Sequence, residues 1–395
     1  MRLAVIGGKL QGTEAAYLGT KAGYELVLVD RRPQVPAAGL AREVHCFDVT
    51  QEPARARELL SGCDAVLPAC EDDATLAWLD RHVPGWGVPL LFDLASYGVT
   101  SSKLRSNALF DQLGVPRPTP WPACGFPLIV KPSSASGSQG VRVVASEDQL
   151  TAARAELEAQ GHEAVIEEFA PGPSLSLEVV AWRGRVRPLQ VTWLEFDRFY
   201  DCKRVLAPVE GVSAELLAVF DDIGRTLAEG LGLQGVMDIE VMVHGGQLKV
   251  LEIDARLPSQ TPTAVYHSCG VNIVQLLSET VLGDQLPAVD RAARRGCAYQ
   301  HVRVAGGAVE VLGEHVMSDA RPLRLVTGLY GADEVIADTD PSAPQGEEWV
   351  ATLITTGATA AAARTKAGEA VCRLAAVHGL AVRPEESAQP GDDCR

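Results

Sequence analysis

The chain has 395 residues, beyond the size at which one hydrophobic core stops growing, so two or three domains are expected. Hydrophobic residues make up 47% and charged residues 22%, an ordinary globular balance that excludes a disordered or fibrous chain. Thirty-five basic against fifty-one acidic residues leave a net charge of −16, which argues against a nucleic-acid binder, since such binding needs a basic face to displace counterions; nucleotide binding needs only a few local cations and backbone amides.

The opening Met1-Arg2-Leu3-Ala4-Val5-Ile6-Gly7-Gly8 is too short for a signal peptide's apolar core and reads as a buried first strand. No stretch approaches the roughly 18–20 apolar residues of a membrane span. Nine cysteines, scattered singly and odd in number, suit reduced thiols in a cytoplasmic protein better than disulfides or a zinc site.

In chain order, Leu3–Ile6, Leu26–Val29, Val44–Phe47, Ala65–Leu67 and Leu90–Phe92 read as buried parallel strands, with helices at Thr13–Ala22 and Pro53–Ser61 between them. This rhythm predicts an open α/β sheet. A helix over Ser101–Leu113 is stopped by Gly114 and Pro116. Strands at Leu128–Val130, Val141–Val144 and Ala164–Glu167, with a helix over Asp148–Ala159, predict a small α+β lid. Longer strands follow at Ser176–Trp182, Val186–Trp193, Val236–Val243 and Leu248–Ile253, with helices over Ser213–Gly230 and Asn272–Leu282. Beyond residue 285 the pattern weakens to small strands and one Ala-rich helix near Ala358–Ala375. The expected units are an N-terminal α/β domain (1–98), a lid (99–183) and a larger C-terminal domain (184–382). A tail, 383–395, carries two prolines, a glycine and four acids and is expected to be disordered.

Four motifs carry chemistry. The run Gly7-Gly8-Lys9-Leu10-Gln11-Gly12 follows a strand and opens a helix, but Lys9 stands where a dinucleotide fingerprint needs glycine. Asp30 ends the second strand, where a ribose-binding acid would sit, so an NAD-dependent oxidoreductase is a weaker alternative. The second motif is Lys131 at a strand end, followed by the Ser/Gly-rich hairpin Ser133–Gly140. Small residues let backbone N–H groups approach phosphates, and lysine adds a point charge. Alone, such a hairpin is as readily a plain surface loop. In the third motif, Ile166-Glu167-Glu168-Phe169, an apolar strand ending in acids can meet an adenine edge and hold ribose hydroxyls.

The fourth motif is decisive. Glu240 lies on one predicted strand, and Glu252 and Asp254 lie on the next. Side chains alternate across a strand, so Glu252 and Asp254 point the same way. Three facing carboxylates repel unless a cation neutralises them, and magnesium bridging ATP phosphates is the natural occupant. Arg256 extends the same face and suits a transferring phosphoryl group.

A lysine at Lys103, the strand lysine with its hairpin, an acidic hinge, then Glu and Glu-x-Asp strands occur in the order found in ATP-grasp ligases. The runs Gly8–Gly12, Glu14–Leu18, Cys46–Pro53 and Asp254–Thr263 resemble, more specifically, the pyrrolysine-pathway ligase family that joins 3-methylornithine to lysine. The likeness covers residues 1–280 and fades after that.

The resemblance implies an ATP-grasp fold of mixed α/β and α+β class. Its parts are an N-terminal open parallel α/β domain, a small lid and a C-terminal antiparallel sheet. It implies ATP, with one or two magnesium ions or manganese in their place, small amino-acid substrates and a homodimer. Lys9, Asp30, Asp48, Val49, Lys103, Lys131, Ser138, Glu167, Glu168, Phe169 and Ala170 would bind ATP. Glu240, Glu252 and Asp254 would hold metal, while Arg256 and Lys131 serve catalysis. Glu178, Val179, Val180, Ser259, Gln260, Thr261, Pro262 and Thr263 would bind the ornithine moiety, and Gln11, Gly12 and Glu71 the lysine. The reaction implied is activation of a carboxylate as an acyl phosphate, then attack by the lysine ε-amine. Alternatives are an ATP-grasp ligase for another amino-acid pair and a nucleotide sensor. The sequence assigns no base to the incoming ammonium and no role to the C-terminal segment.

Overall fold

The computed structural model describes residues 1–386 except 135, 136, 138, 139, 343, 345 and 347. The N-terminal sheet contains β1 (Arg2–Ile6), β2 (Glu25–Asp30), β3 (Glu43–Cys46) and β4 (Ala65–Pro68), all parallel in the order β3-β2-β1-β4. Near-continuous apolar runs form these strands because helices cover a parallel sheet on both faces. Leu90–Phe92, expected as a fifth strand, makes only the single bridge Val66–Leu90. The turn after β1 needs glycine: a Cβ on Gly7, at φ +106, would lie 2.5 Å from Ala69 O, and one on Gly12 would lie 2.2 Å from Gly7 O.

The helix expected over 101–113 is present as Lys103–Leu113, and an unexpected further helix, Leu94–Thr100, precedes it. Ser102 separates them, its hydroxyl capping Lys103–Leu113 by accepting the Arg105 N–H. Gly114, at φ 69, ends it in the left-handed region.

The lid contains β5 (Leu128–Pro132), β6 (Arg142–Val144) and β7 (Ala164–Glu168) in the antiparallel order β6-β5-β7. The helix Glu147–Ala159 packs Leu150, Ala153 and Leu157 against Leu128, Val130 and Val144.

The large sheet contains β8 (Ser174–Trp182), β9 (Arg185–Phe196), β10 (Cys202–Ala207), β11 (Gly235–His244), β12 (Gln247–Asp254), β13 (Gly296–Ala305), β14 (Ala308–Val311), β15 (Arg324–Thr327), β16 (Glu334–Ala337), β17 (Trp349–Gly357) and β18 (Ala381–Val382). Its order is β12-β11-β8-β9-β10-β13-β17-β16-β15, with β14 beside β13 and β18 beside β14. Thus β8, inside the expected lid boundary at 183, is a strand of the large sheet, and the lid's own sheet closes at Glu168. One core runs from Leu18 and Leu28 of the N-terminal domain to Val265, Tyr299 and Ile336, so both domains share a buried face.

Two expectations for the C-terminal segment are corrected. Rather than small strands, β13 and β17 are ten and nine residues long and lie side by side within the sheet. Most of their residues are buried, so the polar–apolar alternation that marks a strand is weak. Within the tail, residues 383–386 are held: Glu385 pairs with Arg204 at 2.6 Å and Glu386 with Arg198 at 2.6 Å. The remainder of the tail, 387–395, lies outside the described residues.

Candidate active site

The acidic strands β11 and β12 pair in antiparallel register, with Asp238 opposite Asp254 and Glu240 opposite Glu252. Alternation then places all four carboxylates on one face. Two internal cations meet them: Lys103 Nζ lies 2.9 Å from Glu252 Oε2, and Arg256 Nη2 lies 2.8 Å from Asp254 Oδ2. Burial and then the charge of Glu252 push Glu240 up to about 8. Burial lifts Asp254 to about 7 against the pull of Arg256. Asp238 is raised well above the carboxylate range, first by burial and then by Asp254. Glu252 alone is lowered, because Lys103, with help from Lys131 and Arg256, outweighs its burial.

No three metal-ligating side chains among the described residues are already gathered for coordination, since Glu252 and Asp254 turn to Lys103 and Arg256. The donor chemistry nonetheless fits magnesium: hard carboxylate oxygens stand close enough to repel one another, and one Asp238 oxygen is buried without a partner.

Beside this face, a cavity of about 120 Å³ is lined by Lys103, Lys131, Glu167, Phe169, Ala170 and Glu252, among others. Lys131 sits 2.6 Å from Glu167 and donates to Leu251 O at 3.3 Å. Glu168 accepts the Thr119 N–H at 2.8 Å and pairs with Lys249; these contacts outweigh burial and hold it below the usual carboxylate range. The N–H groups of Glu168 and Phe169 are already taken by Thr119 O and Pro127 O at 2.9 and 3.1 Å. Ser138, expected at the phosphates, lies outside the described residues.

The expected nucleotide set divides in space. Lys9, Asp30, Asp48 and Val49 line a different cavity, of about 440 Å³, in the N-terminal domain, together with Gln11 and Glu71 of the expected lysine site. Asp30 accepts the Gly8 N–H at 2.8 Å, and Lys9 pairs with Asp319 at 2.8 Å. Gln11 Nε2 donates to Glu71 Oε1 at 2.8 Å.

The residues expected around the ornithine moiety gather unevenly. Glu178 is fully buried on β8 with no cation paired to it among the described residues, and burial pushes it up to about 7 against the opposing Thr261 hydroxyl. A side-chain oxygen of Gln260 is buried and unpartnered, while the buried hydroxyls of Thr261 and Thr263 lie against Glu178 and Glu14. Gln260 holds φ 69, a costly value for a residue with a Cβ, and Pro262 sits in the first turn of the helix Thr261–Cys269. Ser259 donates to Glu314 at 2.7 Å. Val179 and Val180 turn their side chains into the core on opposite faces of the sheet rather than to a cavity, and Gly12 packs against Gly7 O.

Sequence reasoning passed over several residues here. Asp238 was within reach, being two positions from Glu240 and so on its face. Glu14, buried and accepting the Thr263 N–H at 2.6 Å, ties the first helix to the substrate loop. Asp201 and Glu314 line a third cavity, of about 110 Å³, with Asp238, Asp254 and Arg256. Their partnership across the chain left no local signal.

A two-layer phosphate cleft between a three-stranded lid and an acid-bearing antiparallel sheet, beside a parallel α/β domain, defines an ATP-grasp protein. The ATP-grasp domain profile matches residues 100–260. Biotin carboxylase from Campylobacter jejuni superposes with TM-score 0.73 at 14% identity, covering 98% of this chain and 93% of that one. The L-amino acid ligase from Bacillus licheniformis gives 0.65 at 16%, covering 93% and 97%. Within this fold, the chain is 37% identical over 318 residues to the 3-methyl-D-ornithine–L-lysine ligase of Methanosarcina acetivorans, covering 80% of this chain and 84% of that one. It belongs to the 3-methyl-D-ornithine–L-lysine ligase family.

Proposed function

We propose that the protein is an ATP- and magnesium-dependent ligase that activates the carboxylate of 3-methylornithine as an acyl phosphate. It then joins that carboxylate to the ε-amine of L-lysine, releasing ADP and phosphate. The observation that carries the substrate assignment is Glu178, a buried carboxylate with no cation paired to it among the described residues, in a chain 37% identical to a ligase of that name. A buried acid left this way costs several kcal/mol unless a cation meets it, and an ornithine ammonium supplies one. The unpartnered Gln260 oxygen and the Thr261 and Thr263 hydroxyls add acceptors for the same polar ligand.

A carboxylate is a poor acyl donor because oxide would have to leave, so phosphorylation precedes amide formation. Lys103 and Lys131 bring positive charge to the nucleotide phosphates, and Glu167 and Glu168 bring carboxylates to the ribose side. Arg256 balances charge on the phosphoryl group in transit. Magnesium, held by Glu240, Glu252 and Asp254, would neutralise phosphate charge; manganese would serve the same oxygen ligands. Gln11 and Glu71 hold lysine in the N-terminal cavity. Closure of the lid over the cleft would exclude water, which otherwise hydrolyses an acyl phosphate. The described cysteines are all free thiols, in keeping with a cytoplasmic setting, and a homodimer is the expected assembly.

Mass spectrometry after incubation with ATP, magnesium, 3-methylornithine and lysine tests the reading. An ornithyl-lysine amide of the summed mass less water is expected. Formation of a different amide in a matrix of amino-acid pairs would return the protein to the broader ATP-grasp ligase class.

A further inference from the structure

We propose that His315, oriented by Asp201, is the base that takes the proton from the incoming lysine ammonium. This inference rests on the ligase reading above and adds a residue to the same site. His315 opens the short helix His315–Ser318 in the C-terminal segment, to which no role was assigned above. Its Nδ1 lies 2.9 Å from Asp201 Oδ2, and the same oxygen accepts the His315 backbone N–H at 3.0 Å. A carboxylate on Nδ1 fixes the proton there and leaves the Nε2 lone pair outward, the arrangement by which a carboxylate orients a catalytic imidazole.

Position supports the assignment. His315 lines the N-terminal cavity with Gln11 and Glu71, the lysine-holding residues. Its partner Asp201 and its neighbour Glu314 line the cavity that contains Asp254 and Arg256. The imidazole therefore stands between the nucleophile's pocket and the phosphoryl group. Nε2 faces Gly137 of the hairpin, where a Cβ would lie 2.5 Å away, so the bare glycine is what spares that nitrogen from being covered. Lys103, Lys131 and Arg256 are cations held by carboxylates, so none of them can accept a proton. With its side chain 37% exposed, the imidazole can pass the proton on to solvent.

In the step, one proton moves from the ammonium nitrogen to Nε2. The freed lone pair forms the C–N bond, and the acyl C–O bond breaks as phosphate leaves with its electron pair. The second nitrogen proton goes to the departing phosphate. The charged groups facing the ring are Asp201, Asp197 and Glu314, with Lys9, Asp30 and Glu71 lining the cavity it borders. The hydrogen bond to Asp201 raises the imidazole above its ordinary value of 6.5, so the base form is gained only as pH rises through that raised value.

The test compares two nucleophiles on the whole enzyme with ATP, magnesium and 3-methylornithine. Lysine is an ammonium at pH of about 7.5 and needs a base, whereas hydroxylamine is already neutral there and traps the acyl phosphate without one. In His315→Gln, lysine ligation should fall by about 100-fold or more, while hydroxamate formation stays within about threefold and the KM for ATP is unchanged. The acid limb of the lysine reaction should disappear, and ligation should recover as pH approaches about 10, where free amine is abundant. Asp201→Asn keeps the volume and should show the same selective loss, smaller in size. Equal loss of amide and hydroxamate would overturn the proposal, as would undiminished lysine ligation. A wild-type enzyme that forms neither product would overturn the ligase reading itself.

Discussion

Arg256 Nη2 lies 2.9 Å from Glu71 Oε1 and 2.8 Å from Asp254 Oδ2, so one buried guanidinium joins the N-terminal domain to the acidic strand of the cleft. The same Glu71 oxygen accepts the Gln11 amide at 2.8 Å. The N-terminal cavity and the acidic cleft are thereby one hydrogen-bonded unit. Arg256→Ala removes the cation from two half-buried or buried carboxylates, which costs about 3 kcal/mol in stability and about 100- to 1000-fold in kcat. Arg256→Lys should restore most of the stability and little of the rate, because a point charge cannot span both acids. Urea melts beside steady-state kinetics read the two effects separately.

Glu178 trades stability for binding. Its folded pKa is raised from 4.5 to about 7 by burial, so it leaves stability intact below the unfolded value and removes it as pH rises through the folded one. At pH above about 7 the loss approaches 3 kcal/mol as an upper bound. Glu178→Gln should therefore raise Tm near pH 8 and leave it unchanged near pH 5. The KM for 3-methylornithine should rise by about 100-fold with the loss of a charge-assisted contact, while that for ATP stays constant. A parallel rise in both KM values would place Glu178 outside the amino-acid pocket.

The parts of this site that could be read from the chain are those carried by local periodicity. Glu240, Glu252 and Asp254 announced themselves because alternate positions of two adjacent apolar strands were acidic. Strands β1, β2 and β4 were equally plain as apolar runs. By contrast, β10 buries Lys203 and Arg204, residue types that ordinarily mark a surface, and only the tertiary partners Glu195 and Glu385 make that burial tolerable. The Asp201–His315 pair closes a separation of 114 residues; no window along the sequence contains it. The division of the expected nucleotide residues between two cavities likewise depends on how the domains dock.

Magnesium binding should depend on pH in a direction set by the four acids. Glu240 is raised to about 8, Asp254 to about 7 and Asp238 further, so a cation must displace protons as pH falls. With ADP present, the magnesium concentration at half-maximal thermal shift should drop about tenfold or more between pH of about 6.5 and 8.5. Glu252→Gln should abolish both the shift and turnover. Retained ADP production in that variant would sink the assignment of the metal to this face.

Tyr17 predicts a loss of stability without a loss of chemistry. Its hydroxyl donates to Glu334 Oε2 at 2.5 Å and lies 2.6 Å from His267 Nε2, with Lys21 pairing to the other Glu334 oxygen. Burial lowers His267 to about 4, so the ring is neutral and its N–H is available to the Tyr17 oxygen. The cluster pins the helix that carries Gln11 to the helix that begins at Thr261, and both to β16. Tyr17→Phe preserves the packing of the ring but strands one donor and one acceptor in the core, at about 1–3 kcal/mol. Because Lys21 still holds Glu334, the helices should remain docked. The urea midpoint should therefore fall while kcat and the KM for lysine change by less than about twofold, within the reach of a small positional shift. A large rise in the lysine KM at unchanged midpoint would instead make this cluster part of substrate recognition.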